Sequence, residues 1–177
     1  MQKARDIIGL PVIAVAGGKQ VGTVKDMLFD EEWRIEGLLL EEKHWFSSPR
    51  WVAWPDIKAS GPDAVTIAGE EALRTLDDTE GKLLLFGGKR KLVGLPIVTV
   101  NGRQLGIVED VYFAAQLDRK VIGCELSDGL LADLREGRKF LPLGREAVVG
   151  EDAIIVPAAA ERELSETGMD RDKEILG

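Results

Sequence analysis

The sequence predicts an all-β fold: two tandem small antiparallel β-barrels with short connecting helical turns and a short C-terminal helix or tail. Three observations lead there. First, the chain repeats itself. Gly9, Leu10, Pro11, Val15, Gly17, Gln20, Gly22, Val24, Asp26, Phe29, Gly37 and Leu40 recur in order as Gly94, Leu95, Pro96, Val100, Gly102, Gln104, Gly106, Val108, Asp110, Phe113, Gly123 and Leu126. The offset is 85 at the start, 84 beside Gly18, 86 after Asp30, and 89 by the pairs Gly61/Gly150 and Asp63/Asp152. Changes confined to expected turns indicate two homologous units with independently trimmed loops. Second, each copy consists of short apolar and β-branched runs separated by Gly, Asn, Asp and Pro corners, the pattern of a barrel or strongly coiled sheet. Third, the apolar spacing of each second strand breaks step at the same place. An odd step marks a bulge, and small barrels need such bends to close.

The repeat divides the 177 residues into a first unit at 1–69, a linker at 70–91, a second unit at 92–157 and a tail at 158–177. Each unit is near the size at which a lone core is marginal, so the units are expected to pack on each other or on a second chain, a homodimer included. A hydrophobic fraction of 45% and a charged fraction of 31% are those of a folded globular protein.

Each unit is expected to open with a hairpin. Strand 10–16 turns at Gly17-Gly18 into strand 20–29, and in the second copy the corner is Asn101-Gly102. Asn-Gly between apolar runs signals a type I′ turn, whose two central residues both take positive φ. In the second strand, Val24 is followed by Met27 and Phe29, and Val108 by Val111 and Phe113; Asp26 and Asp110 lie inside the odd step. A third strand follows at 33–41 and 119–127, with Gly37 and Gly123 where a neighbouring group comes close. Two short strands finish each unit, 50–54 and 64–68, then 139–143 and 153–157. Single helical turns or loops are expected between them, near 55–58 and 144–147. Short helices are expected at 70–76, at 129–136 behind the cap Asp128, and at 158–167 ahead of Gly168.

With the elements in place, each unit resembles the PRC-barrel domain. The likeness rests on 8–13, Gly17, 22–29, 35–40 and 51–67, and again on 93–98, Gly102, 106–113, 121–126 and 140–156. Each motif alone is weak; the series occurring twice is specific. The domain also occurs in the cytoplasmic region of the photosynthetic reaction-centre H subunit and in the C-terminal part of the ribosome maturation factor RimM. The resemblance implies a barrel that docks on proteins, with ribosome or RNA association as the alternative, and supplies a fold without a substrate.

Composition narrows the function classes. The net charge of −8 argues against non-specific adhesion to phosphate backbones or anionic membranes. Cys124 is the only cysteine, so no intrachain disulfide and no Cys-x-x-Cys pair can form, which fits a reducing compartment and a cytoplasmic location. The apolar segment 7–16 is interrupted by Pro11 and recurs mid-chain at 92–100, so it reads as a strand and not a leader. No run approaches the roughly 20 apolar residues of a membrane span.

Residues that differ between the copies are the better place to look for function, because shared residues serve the scaffold. All four tryptophans, Trp33, Trp45, Trp51 and Trp54, lie in the first unit, joined by His44, Phe46 and Arg50. Trp, Phe and Arg favour interfaces, so Trp45, Phe46, Arg50, Trp51 and Trp54 form the candidate protein-binding cluster, with core packing as the alternative reading. Gly9, Gly22, Asp26, Gly37, Gly94, Gly106, Asp110 and Gly123 are the repeated structural positions. The two aspartates are expected to accept backbone N–H bonds at the bulges rather than act as an acid/base pair.

His44, the only histidine, lacks partners for a metal site or triad. The acidic groups at 30–32 and 77–78 lack the spacing of a calcium loop, and the basic segment 87–91 lacks that of a phosphate loop. No catalytic, cofactor or metal site is assigned, so the expected function is a non-enzymatic cytoplasmic protein-interaction adaptor whose partner is an unidentified protein. The alternative is a ribosome- or RNA-associated assembly factor that uses the basic segment.

Overall fold

The computed structural model describes residues 1–42, 44, 47–79, 81–114, 119–128 and 137–166. They fall into two compact units: 1–92 with 113–121, and 93–112 with 122–177. Among the described residues the regular structure is mainly strand, and the helical segments are short 3-10 turns.

In the first unit the strands are β1 (Gln2–Lys3), β2 (Pro11–Ala14), β3 (Lys19–Phe29), β4 (Ile35–Leu40), β5 (Arg50–Ala53), β6 (Ile57–Ser60), β7 (Val65–Ile67), β8 (Leu73–Thr75), β9 (Leu83–Leu84) and β10 (Arg90–Lys91). All of these but β1 form a sheet in the order β6-β7-β2-β3-β4-β5-β8, with β9 added to β3 and β10 to β9. Alternation sets the faces: Val12 and Ala14 of β2 are buried while Pro11 and Ile13 are only partly so. Val24, Met27, Ile35, Leu38, Leu40, Val52, Val65 and Ile67 complete the core.

The second unit follows the same plan with β11 (Pro96–Thr99), β12 (Gln104–Ala114), β13 (Lys120–Ser127), β14 (Lys139–Pro142), β15 (Val148–Val149), β16 (Ile154–Val156) and β17 (Ser165–Glu166). Its order is β15-β16-β11-β12-β13-β14-β17. Strand for strand this matches β6-β7-β2-β3-β4-β5-β8, so the two repeats share one topology. Each sheet curls into a half-barrel.

Five expectations change in detail. The sheets are not wholly antiparallel: β2 pairs parallel with β7, β11 with β16, and β10 with β9. The long chain between β2 and β7 supplies the crossover that a parallel pairing needs. The Asn101-Gly102 corner is not a type I′ turn, because only Gly102 takes positive φ, +83°. The Gly102 N–H reaches the Thr99 carbonyl at 2.8 Å and the Thr99 N–H reaches the Arg103 carbonyl at 2.8 Å. That is a three-residue loop closed by a glycine bulge, which twists the strands equally well.

The helix expected at 70–76 is a 3-10 turn, Glu70–Ala72, followed by β8, which pairs with β5. Likewise 158–167 holds a 3-10 turn, Ala158–Glu163, followed by β17 on β14. So short a helix gains little alone, whereas a sheet edge offers ready hydrogen-bond partners. The strand β6 is a further difference: a helical turn or loop is expected near 55–58, but the helical turn is confined to Trp54–Asp56 and Ile57–Ser60 are strand. The helix expected at 129–136 lies outside the described residues.

The bulge of the first unit stands where the odd spacing put it. Register along β3–β4 shifts between Val24 and Asp26. The repeated strand glycines are close-approach sites: a Cβ on Gly37 would overlap the Val52 carbonyl and lie 2.8 Å from the Trp51 ring, and one on Gly123 would overlap the Phe140 ring and lie 2.7 Å from the Leu141 carbonyl oxygen. Backbone and ring cannot both retreat in a packed sheet. Gly37→Ala and Gly123→Ala are expected to destabilise by about 1–3 kcal/mol each, while Gly144→Ala, whose Cβ would meet nothing within 4 Å, is expected to be near neutral. Urea unfolding of the three variants checks this.

Candidate interaction site

The four tryptophans do not form one exposed patch. Trp54 is buried and meets Phe113 edge to face, ring centroids 5.6 Å apart at 88°, so it belongs to the packing of the first unit and leaves the binding cluster. Trp33 is buried too and sits at φ +63°, a left-handed conformation that bulky side chains rarely take. Its turn is tied by Asp30, whose Oδ1 accepts the N–H groups of Glu32 and Arg34, both at 2.9 Å. Segment 119–121 completes the fixation: the Trp33 carbonyl accepts the Val121 N–H at 2.8 Å, and the Ile35 N–H donates to Arg119 at 3.0 Å. Trp45 and Phe46 lie outside the described residues. His44 is exposed.

Trp51 remains on the surface. It is half-buried and packs on a cluster of Leu28, Leu39, Leu76 and Leu84. Its cross-strand neighbour on β8 is Arg74, whose guanidinium carbon lies 5.8 Å from the centroid of the indole ring. Arg74 also pairs with Asp56 at 3.0 Å. Beside it opens a shallow depression lined by Pro55, Asp56, Lys58, Glu71 and Arg74. Arg50, the next residue on β5, donates to the Val21 carbonyl at 3.1 Å. An indole seated on leucines under an arginine presents a large apolar area and a planar cation, the chemistry of a protein contact. Arg74 was missed by the sequence reading, which placed it in a linker helix.

The repeated aspartates accept backbone N–H groups. Asp26 is buried, and its carboxylate accepts four backbone N–H groups. Oδ1 takes Met27 at 2.8 Å, Leu85 at 3.0 Å and Phe86 at 3.1 Å; Oδ2 takes Gly87 at 2.8 Å and a longer contact from Phe86. Asp110 likewise accepts the Val111 N–H at 2.8 Å. The basic segment 87–91 is partly consumed within the fold. Arg90 bonds Glu31 at 2.6 Å and the Gly81 carbonyl at 3.2 Å. That hydrogen bond, against a smaller opposing desolvation, holds the Glu31 carboxyl below its ordinary range and raises the guanidinium of Arg90.

The second unit carries a buried polar cluster that sequence reasoning also missed. Glu125 is only 1% exposed; it accepts the Tyr112 hydroxyl at 2.7 Å and the Arg138 guanidinium at 2.6 Å. Tyr112 in turn meets Phe140 edge to face at 5.3 Å. The signal was present in the repeat. Tyr112 and Glu125 occupy the places of Leu28 and Leu39, and Phe140 that of Trp51, so the position that forms the leucine cluster in one unit is ionic in the other. Among the described residues no group of three or more His, Cys, Asp or Glu side chains is arranged to hold a metal ion, and no helix is long and apolar enough to cross a membrane.

These features define a tandem small-barrel β-module with a surface tryptophan on one unit. The PRC-barrel domain family matches residues 1–74 and 88–163, and the chain belongs to that family. No curated protein matches it.

Two expected outcomes follow from this geometry. Asp26→Ala removes the shared acceptor of the Met27, Phe86 and Gly87 N–H groups, while the Leu85 N–H keeps the Met27 carbonyl at 3.1 Å, and is expected to lower stability by on the order of 3 kcal/mol, read by chemical denaturation. Cys124 is fully buried beside Asp110, and burial first, then that carboxylate, push its thiol far above the ordinary range. It is therefore expected to stay inert to a thiol-specific reagent at neutral pH until the second unit opens, so labelling should accelerate with denaturant in step with unfolding.

Proposed function

We propose that this protein is a non-enzymatic protein-interaction adaptor acting in the cytoplasm, and that its first unit engages a protein partner through Trp51 and Arg74. Membership of the PRC-barrel family supports a docking role, and one observation carries the choice of surface: a half-buried indole, backed by a leucine cluster, lies under an arginine on an open strand. Contacts of this kind concentrate binding energy, because the ring is already held in place and loses little freedom on association. The adjoining depression, with Asp56, Lys58 and Glu71 on its walls, supplies a polar rim.

The ribosome or RNA reading has less behind it. Its basic segment is in part held by Glu31, and the net charge is −8. Phosphate contacts strengthen as salt falls, so co-sedimentation with ribosomes at low salt is the observation that would restore it.

Arg74 is 57% exposed, so reversing its charge changes the surface at little cost to the fold. Affinity capture from the native host, read by quantitative mass spectrometry, is expected to recover a defined partner with the natural chain and at least about tenfold less of it with Arg74→Glu. Equal recovery with both would remove this surface from the function.

A further inference from the structure

The outermost strand of the first unit uses only one of its edges. β8 bonds to β5 on one side and has no strand on the other among the described residues. Its register sets Thr75 opposite Arg50, Arg74 opposite Trp51 and Leu73 opposite Val52. The ladder runs one residue further, where the Leu76 N–H donates to the Pro49 carbonyl at 2.7 Å. In an antiparallel pair only alternate residues exchange backbone hydrogen bonds. Leu76 is one of them and Arg74 is the next, so the N–H and C=O of Thr75 and the C=O of Leu73 point away from β5. The Leu73 N–H is held by the Glu70 carbonyl in the preceding turn. Thr75 is exposed, and its outward backbone groups stand ready for another strand.

The space beyond this edge separates the two ends of the sheet. The depression beside Trp51 has Glu71, Ala72 and Arg74 on one wall and Asp56, Ile57 and Lys58 on the other. Lys58 lies on β6, the strand at the far end of the sheet order from β8. Asp56 and Arg74 satisfy one another at 3.0 Å. Lys58 and Glu71 are both exposed, and neither makes a hydrogen bond or ion pair among the described residues. The gap therefore offers an outward-facing strand edge between a cation on one wall and a carboxylate on the other.

The geometry points to an extended segment of the partner protein lying in this gap, its backbone paired with Thr75 and Leu73, an acidic side chain against Lys58 and a basic one against Glu71. Strand addition of this kind draws affinity from main-chain hydrogen bonds and specificity from side chains at alternate positions. A wholly acidic or wholly basic segment would set a like charge against one wall, which selects mixed charge. The inference rests on the reading of the Trp51 surface, because β8 also carries the Arg74 guanidinium beside the indole. It adds the form of the partner: a stretch free to become a strand on binding.

Panning a displayed random-peptide library against the full chain tests it, with fluorescence polarisation of the enriched peptide as the readout. The enriched peptide is expected to carry both an acidic and a basic residue. Thr75→Pro removes the outward N–H and leaves the ladder to β5 intact, so it should weaken binding at least about tenfold. Lys58→Glu should weaken the same peptide, and exchanging the peptide's acidic residue for lysine should restore it. Circular dichroism shows whether Thr75→Pro is folded, and if it is not, the Lys58 exchange decides. No enrichment, binding indifferent to a folded Thr75→Pro, or a failed exchange overturns the proposal. Arg74→Glu separates the two readings. A peptide lost with Arg74→Glu but kept with Thr75→Pro upholds the Trp51 surface and overturns strand addition; one lost with Thr75→Pro but kept with Arg74→Glu does the reverse.

Discussion

One buried carboxylate organises the first unit. Asp26 sits at a bulge in β3 and gathers the N–H groups of Met27, Leu85, Phe86 and Gly87. Backbone groups that leave a strand need partners when they are buried, and here one side chain satisfies them all. The concave arrangement of successive N–H groups around an anion is a favourable electrostatic site in its own right. Its structural effect is to hold β9 along β3, where Leu83 pairs with Phe29 and Leu84 with Leu28. Leu84 then joins Leu28, Leu39 and Leu76 to form the seat of Trp51. The surface proposed to bind a partner therefore rests on a hydrogen-bond network beneath it.

The duplicated plan makes the two units controls for one another. At the position of Leu28 and Leu39 the second unit has Tyr112 and Glu125, and the apolar seat becomes a hydroxyl, a carboxylate and a guanidinium. Glu125 is buried while Arg138 stays half exposed, so removing the guanidinium or the hydroxyl leaves a buried carboxylate short of a partner, which is costly. The leucine version tolerates small shifts of its members; the ionic version demands that Tyr112, Glu125 and Arg138 keep their geometry. The same topology thus seats Trp51 on leucines in one unit and sets Phe140 against a tyrosine tied to a carboxylate in the other.

What could be read in advance follows from where the information resides. The strands, the bulge at Asp26 and the close approaches at Gly37 and Gly123 were legible because alternation, odd spacing and the lack of a side chain are local signals, and the repeat displayed each of them twice. The short strands β6, β8 and β17 were not. Residues such as Leu73, Arg74 and Thr75 have no strong local preference and become strand because β5 offers them an edge, a tertiary effect. The candidate site was half legible for a similar reason. Tryptophan content singled out the first unit, but whether an indole faces core or solvent depends on contacts such as that of Trp54 with Phe113, which lie far apart in sequence. Glu125 was overlooked although its mismatch with Leu39 was visible, because attention went to aromatic differences alone.

The composition of the first unit bears on how the protein is made. It is discontinuous: residues 113–121 belong with 1–92, and they supply the Phe113 ring against Trp54 and the backbone partners of Trp33 and Ile35. Translation delivers the chain from the N-terminus, so this unit cannot reach its final form until Val121 has left the ribosome, well after the first repeat has been synthesised. Nor can a gene cut at the repeat boundary yield an intact first half, because Phe113, Arg119 and Val121, which finish it, are encoded in the second.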